Sequence, residues 1–245
     1  MRASADAGGC FPTGRHYPGI AHLVRAAARG TAEEFATETP MRDLPMVAID
    51  VEATGLDPIL DRLVEVACVV FHGGQVERHA WLINPGRAIS PEAQAVHKIS
   101  DDDVKDAPPF AEVADQIVAI LGRGIPLAYN AEFDRAFLMA EFARAERIPA
   151  RPPPGLRKGI DWIDPLIWAR ELQREEKSKS LSSVAERLGI EIGQAHRAAD
   201  DAVAAGRVFL TFLEDSRLPS SYAACVQEQR RLGRLHKDER PFWRT

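Results

Sequence analysis

A chain of 245 residues with 45% apolar and 27% charged side chains is long enough for one α/β domain with extensions, and its composition is that of a soluble protein able to bury a core. The formal net charge of -5 argues against a protein that coats nucleic acid nonspecifically, but leaves room for an enzyme that grips a few phosphates through metal ions. No apolar run approaches the roughly 18 residues of a membrane span, the N-terminus lacks the apolar core of a secretory signal, and Cys10, Cys68 and Cys225 are too scattered for a disulfide framework or a cysteine zinc site. A cytoplasmic protein without membrane contact is the expectation.

Residues 1–44 begin with Gly-Gly, Pro12 and Pro18 and continue into Ile20–Phe35, where Ile20, Leu23, Val24 and Ala27 recur at helical spacing. A flexible tail and one amphipathic helix are predicted. Pro45 then precedes a short apolar run, Met46 to Ile49, that reads as a buried strand. Leu63 to Phe71 is a second apolar strand, His72-Gly73-Gly74-Gln75 a hairpin turn, and Val76 to Ile83 a third strand completing a meander. Ser90 and Pro91 resemble an N-cap and a first-turn proline opening a short helix through Val96, and Ser100 begins a further turn.

Phe110 to Leu121 carries the i, i+3, i+4, i+7 pattern of a helix with one buried face. Ile125 to Tyr129 reads as a strand running into Asn130, followed by a helix from Glu132 to Glu146. Pro149, Pro152, Pro153 and Pro154 predict a stiff exposed loop. Beyond it come a strand at Ile160 to Ile163, a helix from Pro165 through Leu172, a solvated connection, a helix at Leu181 to Leu188 and an alanine-rich helix at Ala198 to Leu213. This order implies a mixed five-stranded sheet with helices on its faces.

Three short motifs carry chemistry. In D-V-E-A-T-G-L, Asp50 and Glu52 are one residue apart, so on an extended chain both carboxylates share a face. Such a pair is either two solvated acids at a strand end or a set of hard oxygen ligands suited to Mg²⁺ or Mn²⁺. Thr54 and Gly55 make a turn whose backbone can approach a ligand closely, with Leu56 as an apolar wedge beside the acids. In Y-N-A-E-F-D, Asp134 falls in a helix's first turn, where a carboxylate also suits the helix dipole. In H-R-A-A-D-D-A, His196 sits on a loop leading into a helix that carries Asp200 and Asp201, and a lone histidine there also reads as a surface residue.

Taken together and in order, these motifs resemble the DEDDh exonuclease family, also called DnaQ-like, which includes the proofreading subunit of bacterial replicative polymerases. The segments I-N-P-G-R-A-I-S-P-E-A-Q-A-V-H-K-I-S, D-W-I-D-P-L-I-W-A-R and L-S-S-V-A-E-R-L-G-I are similar to the family's as well, so the resemblance covers about residues 45 to 213. It implies a ribonuclease-H-like fold, two divalent cations (Mg²⁺ or Mn²⁺) held by Asp50, Glu52, Asp134 and Asp201, and His196 as general base. The family's His-x4-Asp spacing selects Asp201 over Asp200. Ala53, Thr54, Gly55, Leu56, His97, Asn130 and Phe133 are the implied substrate contacts. Three positions depart from the common pattern: Ala53 stands for threonine, Tyr129 for histidine and Lys98 for glycine. Lys98 adds a charge that could meet a phosphate.

The resemblance implies removal of nucleoside 5′-monophosphates from the 3′ end of single-stranded or frayed DNA, in proofreading or repair. Trimming of RNA 3′ ends and a noncatalytic module associated with a DNA polymerase are the alternatives, and oligomeric state is not legible. Residues 214–245 form a basic extension in which Phe242 and Trp243 adjoin arginines, a composition that suits stacking on nucleic acid, docking on the protein's own surface or a dimer contact.

Overall fold

The computed structural model describes residues 28–193 and 197–238. Four strands form one sheet in the order β3-β2-β1-β4: β1 (Met46–Ala53), β2 (Leu63–His72), β3 (Gln75–Leu82) and β4 (Ile125–Leu127). β1 runs antiparallel to β2 and parallel to β4, and β2 pairs antiparallel with β3. The two-residue turn at Gly73 and Gly74, with φ of +56° and +78°, needs glycine's tolerance of positive φ and matches the twist of the flanking strands.

Helices cover both faces. α1 (Pro91–His97), α2 (Asp101–Val104), α3 (Phe110–Leu121), α4 (Ala131–Arg144), α5 (Pro165–Leu172), α6 (Leu181–Arg187), α7 (Ala198–Phe212) and α8 (Tyr222–Asp238) follow in chain order. Alternation along β1 sorts its residues between two cores. Met46 and Ala48 pack with Ala202, Val203 and Phe209 of α7, whereas Val47, Ile49, Val51 and Ala53 pack with Ile117 of α3 and Phe137 of α4. Alanines and Gly206 on α7 let it lie close to the sheet: a Cβ at Gly206 would stand 2.2 Å from the Phe71 ring. No helix among the described residues is long and apolar enough to cross a membrane.

Most predicted elements are present within one or two residues, with several corrections. The sheet has four strands among the described residues, not five: Ile160 to Ile163 contributes only an isolated parallel bridge between Ile163 and Leu127. Ile163 N–H donates to the Pro126 carbonyl and its carbonyl accepts from Ala128 N–H, whereas the Asp161 N–H donates to the Gly30 carbonyl at 2.8 Å and extends no ladder. The proline-rich loop is not exposed throughout, because Pro153 to Leu156 are buried and the Gly155 carbonyl accepts from Trp162 Nε1 at 3.1 Å. Of the predicted helix Ile20–Phe35, residues 20–27 lie outside the described residues, and 28–35 form turns. Asp50 and Glu52 do not end β1; the strand continues through them to Ala53, with an irregularity at Glu52/Ala53.

The basic extension is largely the long helix α8. Tyr222, Cys225, Val226 and Leu232 are buried in the core shared with β1 and α7, and Tyr222 Oη accepts from Ala32 N–H at 3.0 Å. Phe242 and Trp243 lie outside the described residues.

Lys98 closes α1 with φ of 63°, a left-handed conformation that disfavours any side chain and explains why glycine suits this position. Its ammonium donates to the Ala95 carbonyl of the same helix. Lys98→Gly is expected to raise unfolding stability by up to about 1 kcal/mol, the relieved strain exceeding the entropy glycine adds to the unfolded chain. Chemical denaturation checks this, and a lower midpoint would contradict it.

Candidate active site

β1 delivers the first two carboxylates. Because Met46 and Ala48 face α7, Asp50 and Glu52 continue that face at the strand's end, where the first turn of α7 presents Asp201. One carboxylate oxygen from each of Asp50, Glu52 and Asp201 lies within 4.8 Å of the others. Asp200 points elsewhere, as the 100° step of a helix requires, and pairs with Arg78 of β3 at 2.9 Å.

Asp134 approaches from the first turn of α4. It is buried, its Oδ1 accepts the Val51 N–H at 3.1 Å, and its charge helps raise the Asp50 pKa, but it lies outside the tight group of three. His196 lies outside the described residues. Its neighbour Arg197 is anchored: Glu65 of β2, itself buried, accepts from Arg197 Nη2 at 2.8 Å and from the Ala198 N–H at 3.1 Å.

The turn after β1 is braced from within. Thr54 is buried; its hydroxyl donates to Asp61 at 3.1 Å and accepts from Arg62 N–H at 3.1 Å. A Cβ on Gly55 would stand 2.4 Å from Asp61 Oδ2, so the turn demands glycine. Arg62 in turn holds the buried Glu141 of α4 through bonds of 2.5 and 3.0 Å. Leu56 is 84% exposed at the lip of the site. Ala53 and His97 are buried, the latter accepting Ile99 N–H on Nδ1 at 3.0 Å, and burial holds its imidazole below the ordinary histidine range. Asn130 is exposed with φ of 66°, and Phe133 is half-buried against Phe137 at 4.8 Å between ring centres.

Two supporting acids escaped the sequence reading. Asp164, the N-cap of α5, accepts from Leu166 N–H at 2.9 Å and also from Asn130 and Ala131 N–H at 2.9 and 3.3 Å, so it fixes the start of the helix that bears Asp134. Glu65 does the same for α7. A lone acid inside the apolar run L-V-E-V-A-C-V-V-F is a legible sign of a buried charge needing a partner.

Electrostatics set what this arrangement can do. Burial, then the neighbouring charges of Asp134, Glu52 and Asp201, push Asp50 well above the ordinary carboxylate range. Burial, with Asp201 next, pushes Glu52 up to about 8, and burial pushes Asp134 up to about 8. Crowded, half-buried hard oxygen donors that resist ionisation on their own fit divalent cations, whose charge offsets both the repulsion and the desolvation.

These carboxyls remain protonated in the folded metal-free protein at a pH where the unfolded chain has released its protons, so their contribution is full below about pH 4 and is lost as pH rises through the folded values near 8. The melting temperature of the metal-free protein is therefore expected to fall by several degrees between about pH 5 and 8, and Mg²⁺ or Mn²⁺ to cancel most of the fall. A melting temperature independent of both pH and metal would contradict the raised carboxyls.

Comparison with known proteins agrees with this geometry. Residues 47–209 match the RNase_T exonuclease family model. The DNA polymerase III PolC-type proteins of Thermotoga maritima and Oceanobacillus iheyensis are 34% and 37% identical over 201 and 161 residues, or 80% and 65% of this chain. The chain spans only 14% and 11% of those relatives' lengths. Among solved structures, exonuclease X in complex with 5′ overhanging duplex DNA aligns with a TM-score of 0.57 at 25% identity, covering 73% of this chain and 97% of that one. Escherichia coli exonuclease I with a dT13 oligonucleotide shares the fold with a TM-score of 0.59 at 22% identity, over 71% of this chain and 42% of that one. The chain thus belongs to the RNase_T exonuclease family, of DEDD, DnaQ-like type with a ribonuclease-H-like fold.

Proposed function

We propose that the chain removes nucleoside 5′-monophosphates from the 3′ end of single-stranded or frayed DNA, with residues 45–213 as the exonuclease unit. The observation that carries the reading is the convergence of Asp50, Glu52 and Asp201 within 4.8 Å, with Asp134 beside Asp50. DNA is favoured over RNA because the relatives at 34% and 37% identity are DNA polymerases and exonuclease X was solved on DNA. The same relatives support proofreading or repair alongside a polymerase.

In this mechanism Asp50, Glu52, Asp134 and Asp201 would hold two divalent ions, which would supply charge neutralisation at the scissile phosphate and lower the pKa of the attacking water. His196 accepts that water's proton as its oxygen attacks phosphorus, and the 3′ oxygen of the penultimate nucleotide leaves. Leu56 wedges against the terminal base, while Asn130 and Phe133 flank it. Ala53, Thr54 and Gly55 contribute backbone, and His97 supports them from beneath.

The test is incubation of 5′-labelled DNA and RNA strands of equal sequence with Mg²⁺, with Mn²⁺ and with chelator. A metal-dependent ladder shortened from the 3′ end of DNA is the expected result. Shortening of RNA alone would reverse the substrate assignment, and binding without cleavage would point to a noncatalytic module.

A further inference from the structure

Helix α8 lies beyond the residues matched by the exonuclease family model, yet it docks beside the N-terminus of α4. Gln229 fastens it there: buried, it accepts the Asp164 N–H at 2.8 Å and donates to the Trp162 carbonyl at 2.8 Å. Arg230 adds a bidentate pair with Asp161. Between α4, α5 and α8 this docking leaves a groove of about 620 Å³ that begins at Asn130, Ala131 and Glu132, the turn leading to Asp134. A second groove of about 450 Å³ continues from it, sharing Arg230 and Arg234.

The lining has a charge opposite to that of the chain. Arg29, Arg135, Arg170, Arg230, Arg231 and Arg234 line the two grooves, against the acids Glu132, Asp161 and Asp164, in a protein of formal net charge -5. Two of those acids are already engaged, Asp161 with Arg230 and Asp164 with three backbone N–H groups. Among the described residues the side chains of Arg29, Arg170 and Arg234 make no close ion pair or hydrogen bond, although Arg170 is near enough to Asp164 for its charge to oppose the rise in pKa that burial causes there. Arg234 and Arg230 are one helical turn apart, which sets them in a row along α8. Several guanidiniums spread along two adjoining open grooves, three of them without a close ion pair, match an extended phosphodiester backbone better than a compact ligand.

We propose that this arginine track, built by α8 with α5 and the segment at Arg29, binds backbone phosphates of the substrate strand upstream of its 3′-terminal nucleotide. The proposal rests on the exonuclease reading and adds to the matched family domain two segments outside it, α8 and the one at Arg29, as part of the strand's path. The track engages phosphates and so reads no sequence.

The test uses the full-length protein and the variants Arg170→Gln, Arg234→Gln and Arg29→Gln/Arg234→Gln, with melting curves verifying that each folds. Binding of a fluorescent single-stranded 20-mer is followed by anisotropy in Ca²⁺ across a salt series, and kcat/KM is measured in Mg²⁺ for the 20-mer and for a dinucleotide. Each lost arginine is expected to lower the salt slope by about 0.7, and the double variant to reduce the ratio of kcat/KM on the 20-mer to that on the dinucleotide roughly tenfold. Arg234→Lys should retain most of that ratio. An unchanged slope and ratio would overturn the track, leaving the arginines to an acidic protein partner or to solvent. An equal loss on both substrates would overturn it too, since the arginines would then act at the reacting phosphate. If the unsubstituted protein cleaves neither substrate, the exonuclease reading fails, while the anisotropy series still decides the track.

Discussion

Asp50→Asn is expected to reduce release of 3′-terminal nucleotides by at least about 10³-fold while leaving the metal-free protein more stable than the unsubstituted one. Both effects have one origin. Asp50 sits in the second half of β1, where burial and the charges of Asp134, Glu52 and Asp201 all oppose its ionisation. An amide of the same shape removes the charge without opening a cavity, so the folded metal-free state gains, and each kcal/mol gained is worth about 2–4 °C of melting temperature in a chain of this size. The same change deprives the site of a ligand, so added Mg²⁺ should stabilise the variant less than it stabilises the unsubstituted protein. Asp200→Asn is the control, because Asp200 pairs with Arg78 on the outer edge of the sheet. Equal loss of activity in the two variants, or a destabilised Asp50→Asn protein, would contradict the proposed metal centre.

What the sequence made legible follows from periodicity and from spacing. Alternation along Met46–Ala53 is enough to set Asp50 and Glu52 on one face, and the cores on either side of β1 follow the same alternation. Phe110–Leu121 was readable to the residue because its apolar spacing and preceding prolines leave no competing register. Contacts between distant segments were not readable. Nothing local tells that Asp164 caps α4 as well as its own helix, that Glu65 holds Arg197 across 132 positions, or that Glu141 and Arg62 clamp the turn after β1. The fifth strand failed for a similar reason: Ile160 to Ile163 has strand composition, but only Ile163 pairs beside β4, with Pro126 and Ala128, while the Asp161 N–H goes to Gly30 of the N-terminal segment. The basic extension read as a tail because its arginines dominate the composition, although Tyr222, Cys225, Val226 and Leu232 form one buried stripe of α8. Truncation after Leu218 would therefore strip the core, and point substitutions of arginines are the sharper probe of this region.

His196→Ala should lower turnover by roughly 10²- to 10⁴-fold with little change in the metal concentration giving half-maximal rate. Glu65 holds both Arg197 and the Ala198 N–H at the start of the helix that carries Asp201. An imidazole suits a group that takes a proton from water, because its charge changes near neutrality. If His196 acts as a base, turnover rises with pH through the histidine pKa, near 6.5 when unperturbed, and levels above it. Ionisation of metal-bound water can produce the same limb, so the variant's profile is decisive: loss of the limb in His196→Ala assigns it to the imidazole. A ligand behaves differently, since removing it raises the metal requirement and excess Mn²⁺ then restores much of the rate. Glu65→Gln separates position from chemistry: with weaker tethering of Arg197 it should lower turnover while keeping the pH midpoint, because the proton acceptor itself is unchanged. Near-native turnover of His196→Ala with the same ascending limb would remove the histidine from the mechanism and leave the third motif to supply Asp201 alone.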